Sequence, residues 1–339
     1  MNSELYESLD IHQRMVRDGP RTASYREALI DAIQPGDVVL DVGAGTGILS
    51  MFAAQAGAAK VYAVERTSTA ALAKDLVARN GLADRVEVIQ GDMRAIELPT
   101  QVDVLVSECL GIYAVDENLL GVMLDARDRW LRPGGSVLPA HLKVWLAPVW
   151  SETWAGMVEP LGARYGLDLG PLEGPTPDGL QWSADGITPE RVRADAQLLW
   201  DLDLSRLSAA QARLPYRARA QFSASSRGFV NGLTPWFDVD FGRGITLSTA
   251  PGQPVTHWGH YVFALDHNYR VEPGTPIQAE LTCLPMHPGY SHHAWSARVG
   301  AGSWEHHDSR APRWTGPQSG SPRTSSANGS RPRGAASEA

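Results

Sequence analysis

The chain has 339 residues, 43% of them hydrophobic, and a formal net charge of −8, so it can hold two domains and is not expected to be a general nucleic-acid-binding protein. Its two cysteines, Cys109 and Cys283, predict neither a disulfide framework nor a zinc motif. No apolar run reaches the ~18 residues that a membrane span requires. We therefore expect a soluble cytoplasmic protein with no membrane partner.

The N-terminal half of the chain shows helical and strand patterns in regular alternation. Residues 1–34 predict amphipathic helices, and a turn leads into a domain at 35–147. The expected strands are 38–42, 60–65, 86–90 and 102–107, and the expected helices are 48–56, 67–79 and 117–131. Arg132-Pro133-Gly134-Gly135 is expected to end the last helix. This order predicts an α/β, Rossmann-like domain with a mostly parallel sheet.

The pattern changes after residue 148, where tryptophan, proline and glycine become frequent. Short alternating runs separated by turns predict an antiparallel β-barrel domain over 148–307. These runs are 216–223, 236–241, 256–265, 277–284 and 295–299. A Pro/Gly-rich stretch at about 158–195 predicts an excursion from this domain, and the composition of 308–339 predicts a disordered tail. No metal site is predicted, although five of the ten histidines lie between 287 and 307.

A loop with three glycines follows the first expected strand: Gly43, Gly45 and Gly47. A strand, a glycine loop and a helix are typical of a nucleotide-like ligand site, because the backbone can approach the ligand and the helix N-terminus donates N–H groups. A dinucleotide-binding loop would need glycine at position 48, which is Ile48. Asp41, at the strand end, favours a ligand that carries an ammonium or a sulfonium.

An acid ends the next strand as well. Glu65 lies 18 residues after Gly47, where a carboxylate can accept hydrogen bonds from both ribose hydroxyls. The pattern D-x-G-x-G-x-G resembles the S-adenosylmethionine loop of Rossmann-like methyltransferases. The alternative is a tight turn that binds no ligand.

Two glutamates lie near the end of the fourth strand. Glu108 follows that strand directly, and Glu117 comes nine residues later, at the expected start of a helix. Two adjacent carboxylates repel unless a cation lies between them, and the planar fork of a guanidinium suits that place. The spacing therefore favours a guanidinium clamp. On the spacing alone, Glu117 could instead serve a helix N-terminus and Glu108 could be an ordinary loop acid.

Four segments resemble the protein arginine methyltransferase family: 11–26, 39–49, 107–117 and Thr256-His257-Trp258. The Thr-His-Trp segment carries particular weight, because S-adenosylmethionine binding does not require it. The resemblance implies methyl transfer from S-adenosylmethionine to an arginine guanidino nitrogen, with arginine in proteins as the leading substrate. It also implies that 158–195 is a dimerisation arm and that the protein is a homodimer.

The resemblance implies a role in cofactor binding for several residues. Arg21 would pair with the methionine carboxylate of the cofactor, Glu65 would hold the ribose, and Met15 would shape the pocket floor. Asp92 and Met93 follow Gly91, where the family's usual adenine-contacting acid is missing, and we expect Asp92 to reach the adenine amino group instead. Without the resemblance, Arg21 could be a surface arginine and Met15 a core residue.

The resemblance also implies catalytic roles. Glu108 and Glu117 would clamp the substrate guanidinium, and His257 would pair with Asp18 across the two domains as a structural or proton-accepting dyad. Without the resemblance, His257 could be a core histidine. The family usually has Ser-Glu-Trp-Met-Gly where this chain has Cys109 in place of the tryptophan, which leaves room beside the guanidinium.

The chain departs from the family at its N-terminus as well, where only Tyr6 remains of a Tyr-Phe-x-x-Tyr motif that covers the cofactor. These departures keep open a rival substrate, free arginine or a small guanidino metabolite. A second rival is a catalytically silent binding or scaffold protein with the same fold. The presence of Glu108, Glu117, Asp41 and Glu65 argues against that second rival.

Overall fold

The computed structural model describes residues 8–158, 167, 169 and 179–309. Two helices, α1 (Leu9–Arg17) and α2 (Gly19–Ala32), precede the first sheet, as the sequence predicted. Asp18 separates them and caps α2, because its side chain accepts a hydrogen bond from the backbone N–H of Arg21 at 3.1 Å. No helix in the described part of the chain is long and apolar enough to cross a membrane.

The first sheet has five strands, all paired in parallel. They are β1 (Val38–Val42), β2 (Lys60–Glu65), β3 (Val86–Gln90), β4 (Val102–Ser107) and β5 (Leu131–Leu138). The intervening helices are α3 (Ile48–Ala56), α4 (Thr69–Arg79) and α5 (Leu120–Trp130). The spatial order β3-β2-β1-β4-β5 reverses between β1 and β4, and ligands of such sheets bind beyond the carboxyl ends at this switch point.

The four strands predicted before residue 108 have the predicted bounds, but the segment around α5 differs. The helix begins at Leu120 rather than at 117, so Glu117 lies in the preceding loop and does not serve a helix N-terminus. The segment Arg132-Pro133-Gly134-Gly135 belongs to β5. Proline is tolerated there because β5 is an edge strand that pairs with β4 alone in this sheet.

An antiparallel β-barrel domain follows in two sheets. Its strands are β6 (His141–Val149), β7 (Leu180–Ser183), β8 (Gln197–Asp203), β9 (Tyr216–Ser223), β10 (Gly228–Gly242), β11 (Ile245–Ser248), β12 (His260–Val271), β13 (Pro276–His287), β14 (Tyr290–Val299) and β15 (Glu305–Asp308). One sheet has the order β7-β12-β10-β6-β8 with β11 beside β10, and the other has the order β15-β14-β13-β9. Two short helices, α6 (Glu152–Val158) and α7 (Ala209–Ala212), lie between strands.

The strands and the arm predicted for the barrel domain agree only in part with the structure. The run at 216–223 is β9, whereas the run at 256–265 becomes a strand only at His260, so Thr256-His257-Trp258 is a loop. Most of the expected arm at 158–195 lies outside the described residues, and its later part forms β7, which pairs with β12. The expected tail also lies outside the described residues from 310 onwards.

The two domains meet over a continuous apolar core. Tyr25 of α2 is fully buried and packs edge-to-face on Phe241 of β10 at 4.7 Å between ring centroids. The Trp258 indole N–H donates to the carbonyl of Leu110 at 2.9 Å, and the Gly289 N–H donates to the carbonyl of Glu117 at 2.7 Å. These contacts place the loop before β12 and the β13–β14 turn against the loop that follows β4.

Candidate active site

The glycine loop forms one wall of a cavity of about 480 Å³ at the switch point. Gly43 and Gly45 have φ angles of 74° and 52°, a left-handed conformation that side chains disfavour. A Cβ on Gly43 would lie 2.9 Å from the Cys109 sulfur, and one on Gly45 would lie 3.3 Å from the His12 ring. Glycine therefore keeps both the required backbone conformation and the space above the loop.

Glu65, at the end of β2, organises this loop. It is 7% exposed and accepts hydrogen bonds from the Gly45 N–H at 2.9 Å and from both the N–H and the hydroxyl of Thr67 at 2.7 Å. It also lines the cavity. The carboxylate predicted to hold a ribose is thus already oriented by the backbone that surrounds it.

Asp41 lies beneath the loop, and it is only 1% exposed. One carboxylate oxygen accepts a hydrogen bond from the Ser50 hydroxyl at 2.6 Å, and the other has no partner among the described residues. Burial raises the pKa of Asp41 to about 6, although the Ser50 hydrogen bonds oppose the shift. Asp41 is therefore placed to support the loop, and its predicted contact with a cationic ligand group stays a prediction.

Arg21 and Glu108 form a buried ion pair in the cavity, and each side chain is 6% exposed. Nε and Nη2 of Arg21 both donate to Oε2 of Glu108, the first at 2.9 Å. Burial lowers the pKa of Arg21, but the charge of Glu108 and its hydrogen bonds, with smaller contributions from Tyr25 and Asp18, together raise that pKa above its usual value. Arg21 is not a surface arginine, and Glu108 binds a guanidinium in this structure.

Glu117 lines the same cavity as Glu108 and is 9% exposed. Cys109 lies beside Glu108, and its thiol contacts the carbonyl of Val42 at 3.6 Å. Burial raises the pKa of Cys109 to about 12, so this thiol is neutral. The site thus contains two glutamates and, where the family has tryptophan, a small neutral side chain.

Asp18 and His257 join the N-terminal helices to the barrel. Oδ2 of Asp18 lies 2.8 Å from Nδ1 of His257 and 2.8 Å from its backbone N. Burial raises the pKa of Asp18, but the hydrogen bonds from His257 and Arg21 outweigh it, so the pKa is lowered and the carboxylate is ionised. Because an ionised carboxylate can only accept, the proton of this contact lies on Nδ1 of His257. His257 lines the cavity and is not a core histidine.

The remaining predicted residues also reach the cavity. Met15 is half-buried, and its carbonyl accepts a hydrogen bond from Arg21 at 3.3 Å. Met93 is 5% exposed. Asp92 forms an ion pair with Arg94, which lowers the pKa of Asp92 to about 2. The predicted contact between Asp92 and an adenine amino group would compete with this ion pair.

Sequence reasoning missed several residues of the cavity. His12 lies on the wall with its ring 3.2 Å from the Thr69 hydroxyl, and Thr67 holds Glu65. Trp182 and Tyr261 come from barrel strands β7 and β12. Thr67 follows Glu65 by two residues and could have been found from the strand end, whereas nothing in the local sequence points to the other three.

Comparisons with known proteins agree with this geometry. The family model described as "Methyltransferase domain" matches residues 39–135, and the one described as "Arginine methyltransferase oligomerization subdomain" matches residues 144–295. Protein arginine N-methyltransferase 6 of Xenopus laevis is 34% identical over 293 residues, which cover 83% of this chain and 86% of that protein. The chain belongs to the protein arginine N-methyltransferase family. Protein arginine N-methyltransferase 1 of Schizosaccharomyces pombe is also 34% identical, with 83% of each chain covered.

Solved structures of this family share the fold. The Trypanosoma brucei PRMT1 enzyme-prozyme heterotetrameric complex with AdoHcy matches with a TM-score of 0.78 and 28% identity over 89% of this chain and 98% of that one. Arabidopsis thaliana protein arginine methyltransferase 10 matches with a TM-score of 0.75 and 29% identity over 90% and 97%. The chain is an S-adenosylmethionine-dependent arginine N-methyltransferase, and S-adenosylmethionine is its methyl donor.

The cavity fits that donor. The glycine loop provides a cradle that a Cβ at position 43 or 45 would partly fill, and Glu65 offers a carboxylate on its wall. Arg21 and the partly buried Met15, from the two N-terminal helices, also line the cavity. The residues present therefore suit a ligand with a ribose and a carboxylate, both of which S-adenosylmethionine carries.

The Asp18–His257 pair gives a testable prediction. Asp18→Asn keeps an N-cap residue for α2, because asparagine caps helices as well as aspartate does, but it removes the charge that orients His257. A charge-assisted hydrogen bond contributes about 1.5–3 kcal/mol, so we expect kcat/KM to fall about 10- to 100-fold. The matched control is Asp31→Asn on the same helix, whose carboxylate forms an exposed ion pair with Arg243. Equal activity of both variants would contradict a role for the pair.

Proposed function

We propose that this enzyme methylates arginine side chains in proteins and acts as a homodimer. The observation that carries the proposal is the Arg21–Glu108 pair, because a guanidinium is bound by a cavity glutamate beside the glycine loop. A substrate arginine presents the same group to the same carboxylate. The names of the relatives, all protein arginine N-methyltransferases, support proteins as the substrate class.

Glu108 and Glu117 would act together on the substrate guanidinium. An arginine with a pKa of about 13–14 offers almost no neutral nucleophile at physiological pH. Two carboxylates attract the positive charge toward the nitrogens that they contact, which leaves electron density on the remaining nitrogen. When bound, S-adenosylmethionine supplies an electrophilic methyl group on its sulfonium. Orientation of one nitrogen toward that group would account for much of the rate.

Methylation releases one proton from the guanidinium, and the Asp18–His257 pair offers a place for it. Asp18 accepts the Nδ1 proton of His257, so Nε2 is the basic nitrogen of the ring. His257 lines the cavity that also contains both glutamates. The pair would therefore accept the proton at Nε2 or, in a purely structural role, hold the two domains together.

Arg21 would change partner when the donor binds. Its guanidinium is held by Glu108 in this structure, and the family resemblance assigns it to the methionine carboxylate of the donor. A carboxylate of the donor would compete with Glu108 for the same N–H groups. Release of Glu108 by this exchange would prepare it for the substrate guanidinium.

Free arginine or a small guanidino metabolite is a second candidate substrate. The observation in its favour is Cys109, a small neutral side chain beside Glu108 where the family usually has tryptophan. The added space would suit an acceptor that enters without a peptide backbone. The choice between the two substrate classes is made by the experiment below.

The proposal of a homodimer rests on residues 144–295, which match the oligomerization subdomain of arginine methyltransferases. Light scattering coupled to size-exclusion chromatography would give the mass of the assembly, and a monomer at micromolar concentration would contradict it. We also place the enzyme in the cytoplasm, since both cysteines are free.

The experiment that tests the substrate class uses purified enzyme and radiolabelled S-adenosylmethionine in a cell extract. Label in the protein fraction, recovered as methylarginine after hydrolysis, would support the proposal. Label confined to small molecules would replace it with metabolite methylation. Absence of label in both fractions, with donor binding demonstrated by calorimetry, would favour a silent scaffold or the need for a partner.

A further inference from the structure

The loop between Glu108 and Glu117 contains a second buried acid next to Glu117. We propose that Asp116 is a positioning residue, whose carboxylate builds the loop that presents Glu117 to the substrate guanidinium. This inference rests on the proposed role of Glu117 in the clamp. The family resemblance and the sequence patterns assign no role to Asp116.

The carboxylate of Asp116 closes the loop on itself. Oδ1 accepts a hydrogen bond from the Tyr113 N–H at 2.9 Å, and Oδ2 accepts one from the Ile112 N–H at 3.3 Å. Gly111 and Ala114 exchange two further backbone hydrogen bonds at 3.3 and 3.0 Å. Asp116 thus binds two N–H groups that a loop of this shape would otherwise leave buried without partners.

Gly111 and Asp116 fit each other closely. A Cβ on Gly111 would lie 2.3 Å from Oδ1 of Asp116, which is shorter than any real contact. Ala114 and Asn118, on either side of the acid, have φ angles of 73° and 52°, a strained conformation for residues with a side chain. Strain of this kind persists only where surrounding contacts hold it, and it is frequent at functional sites.

Asp116 is buried, and no ion pair with a cationic side chain is found for it among the described residues. It is 4% exposed, and burial raises its pKa to about 6, opposed only by backbone hydrogen bonds from Tyr113, from Ile112 and at Asp116 itself. The titratable groups that sense its charge are Tyr113, Tyr261 and Cys283, each with a pKa raised mainly by burial, so they are neutral. An ionised carboxylate that is buried among neutral groups lowers the stability of the fold. We therefore infer that Asp116 is present because its hydrogen bonds fix the geometry of the loop.

The other side of Glu117 is held by the barrel. The Gly289 N–H, in the turn between β13 and β14, donates to the Glu117 carbonyl at 2.7 Å. Asp116 and Gly289 therefore restrain the backbone of Glu117 from its two sides. Removal of either restraint would leave the glutamate charge in the cavity and change its position.

The test is Asp116→Asn, in which a neutral amide replaces the carboxylate. The amide has one acceptor oxygen, so its NH₂ group faces one of the two N–H donors and that hydrogen bond is lost. A misplacement of about 1 Å can cost about 100-fold in rate, so we expect kcat to fall about 10- to 100-fold. The KM for the acceptor should change little, because Glu117 keeps its charge. The affinity for S-adenosylhomocysteine should match that of the wild type, and hydrogen exchange at the Ile112 and Tyr113 amides should accelerate.

Asp128→Asn is the matched control, since that acid is 52% exposed on α5 and pairs with Arg127 at the surface. If Asp116→Asn does not fold, Gly111→Ala replaces it, because the added Cβ pushes the carboxylate off its N–H donors. A lower kcat with an unchanged KM and unchanged donor affinity would not arise from a loss of fold. A folding defect lowers the active fraction and weakens donor binding as well. Unchanged kcat and unchanged amide exchange in a folded variant would overturn the proposal.

The design separates this inference from the proposed function. The ratio of variant to wild-type kcat is measured on whichever acceptor the wild type uses, whether a peptide or free arginine. Amide exchange of the loop needs no acceptor at all. If the wild type methylates nothing while the Asp116→Asn loop still exchanges faster, the function fails and the structural role of Asp116 remains. If transfer is normal and the loop is unaffected by the variant, the positioning role fails alone.

Discussion

Glu108→Gln is expected to lower kcat/KM by about 100- to 1,000-fold or more, because loss of one partner in a buried charge pair costs about 3–5 kcal/mol. Glutamine keeps the shape of the side chain and one acceptor oxygen but cannot attract the positive charge of a substrate guanidinium. In this structure Glu108 also holds Arg21. The weakened hold on Arg21 leaves its N–H groups available to the donor, so affinity for S-adenosylhomocysteine should be equal or higher.

Two measurements on Glu108→Gln separate a loss of methyl transfer from a loss of donor binding. Steady-state kinetics gives the loss of transfer, and isothermal titration calorimetry gives donor affinity. Glu97→Gln is the control, since that side chain is 80% exposed and pairs with Arg129 at the surface. Unchanged turnover in Glu108→Gln would remove Glu108 from the clamp, and a loss of donor affinity equal to the loss of rate would assign it to donor binding instead.

Glu65→Ala is expected to weaken binding of S-adenosylhomocysteine by at least about 100-fold, since two charge-assisted hydrogen bonds to ribose hydroxyls contribute about 1.5 kcal/mol each. A second effect adds to this loss. The same carboxylate accepts hydrogen bonds from the Gly45 N–H and from Thr67, so the alanine variant also frees the glycine loop. Donor affinity measured by calorimetry should fall more than the loss of ribose contacts alone would explain.

Glu65→Gln helps to separate the two effects, because glutamine keeps one acceptor oxygen for the loop. Glu87→Ala is the surface control, as Glu87 lies on the neighbouring strand β3, is 51% exposed and pairs with Lys60. Surface substitutions are expected to change donor affinity by about twofold at most. If the donor affinity of Glu65→Ala lies within that range of the affinity of Glu87→Ala, Glu65 has no role in donor binding.

Local sequence was informative where a feature is encoded by neighbouring residues. Strands β1 to β4 have the predicted bounds because each is a short valine-rich segment between turn residues or helices. The stop expected at Arg132-Pro133-Gly134-Gly135 agrees with the end of α5 at Trp130. The strand β5 over the same residues was not predicted, because Pro133 and Gly134 are typical of turns and are acceptable in a strand only at the sheet edge. The helix after Glu117 was predicted three residues too early, since the loop before it is closed by Asp116 rather than by helical hydrogen bonds.

The sequence by itself determined the alternation of strands and helices typical of a Rossmann-like domain, the glycine loop with Glu65, and the family, because these depend on contiguous residues and their spacing. Only the tertiary structure decided that Arg21 contacts Glu108 and that His257 contacts Asp18, which lie 87 and 239 residues apart. It also decided that Asp116 is buried with backbone N–H groups as its partners in the described part of the chain. Hydrogen bonds and burial depend on which distant side chains the fold brings together, and no local pattern of residues specifies that pairing.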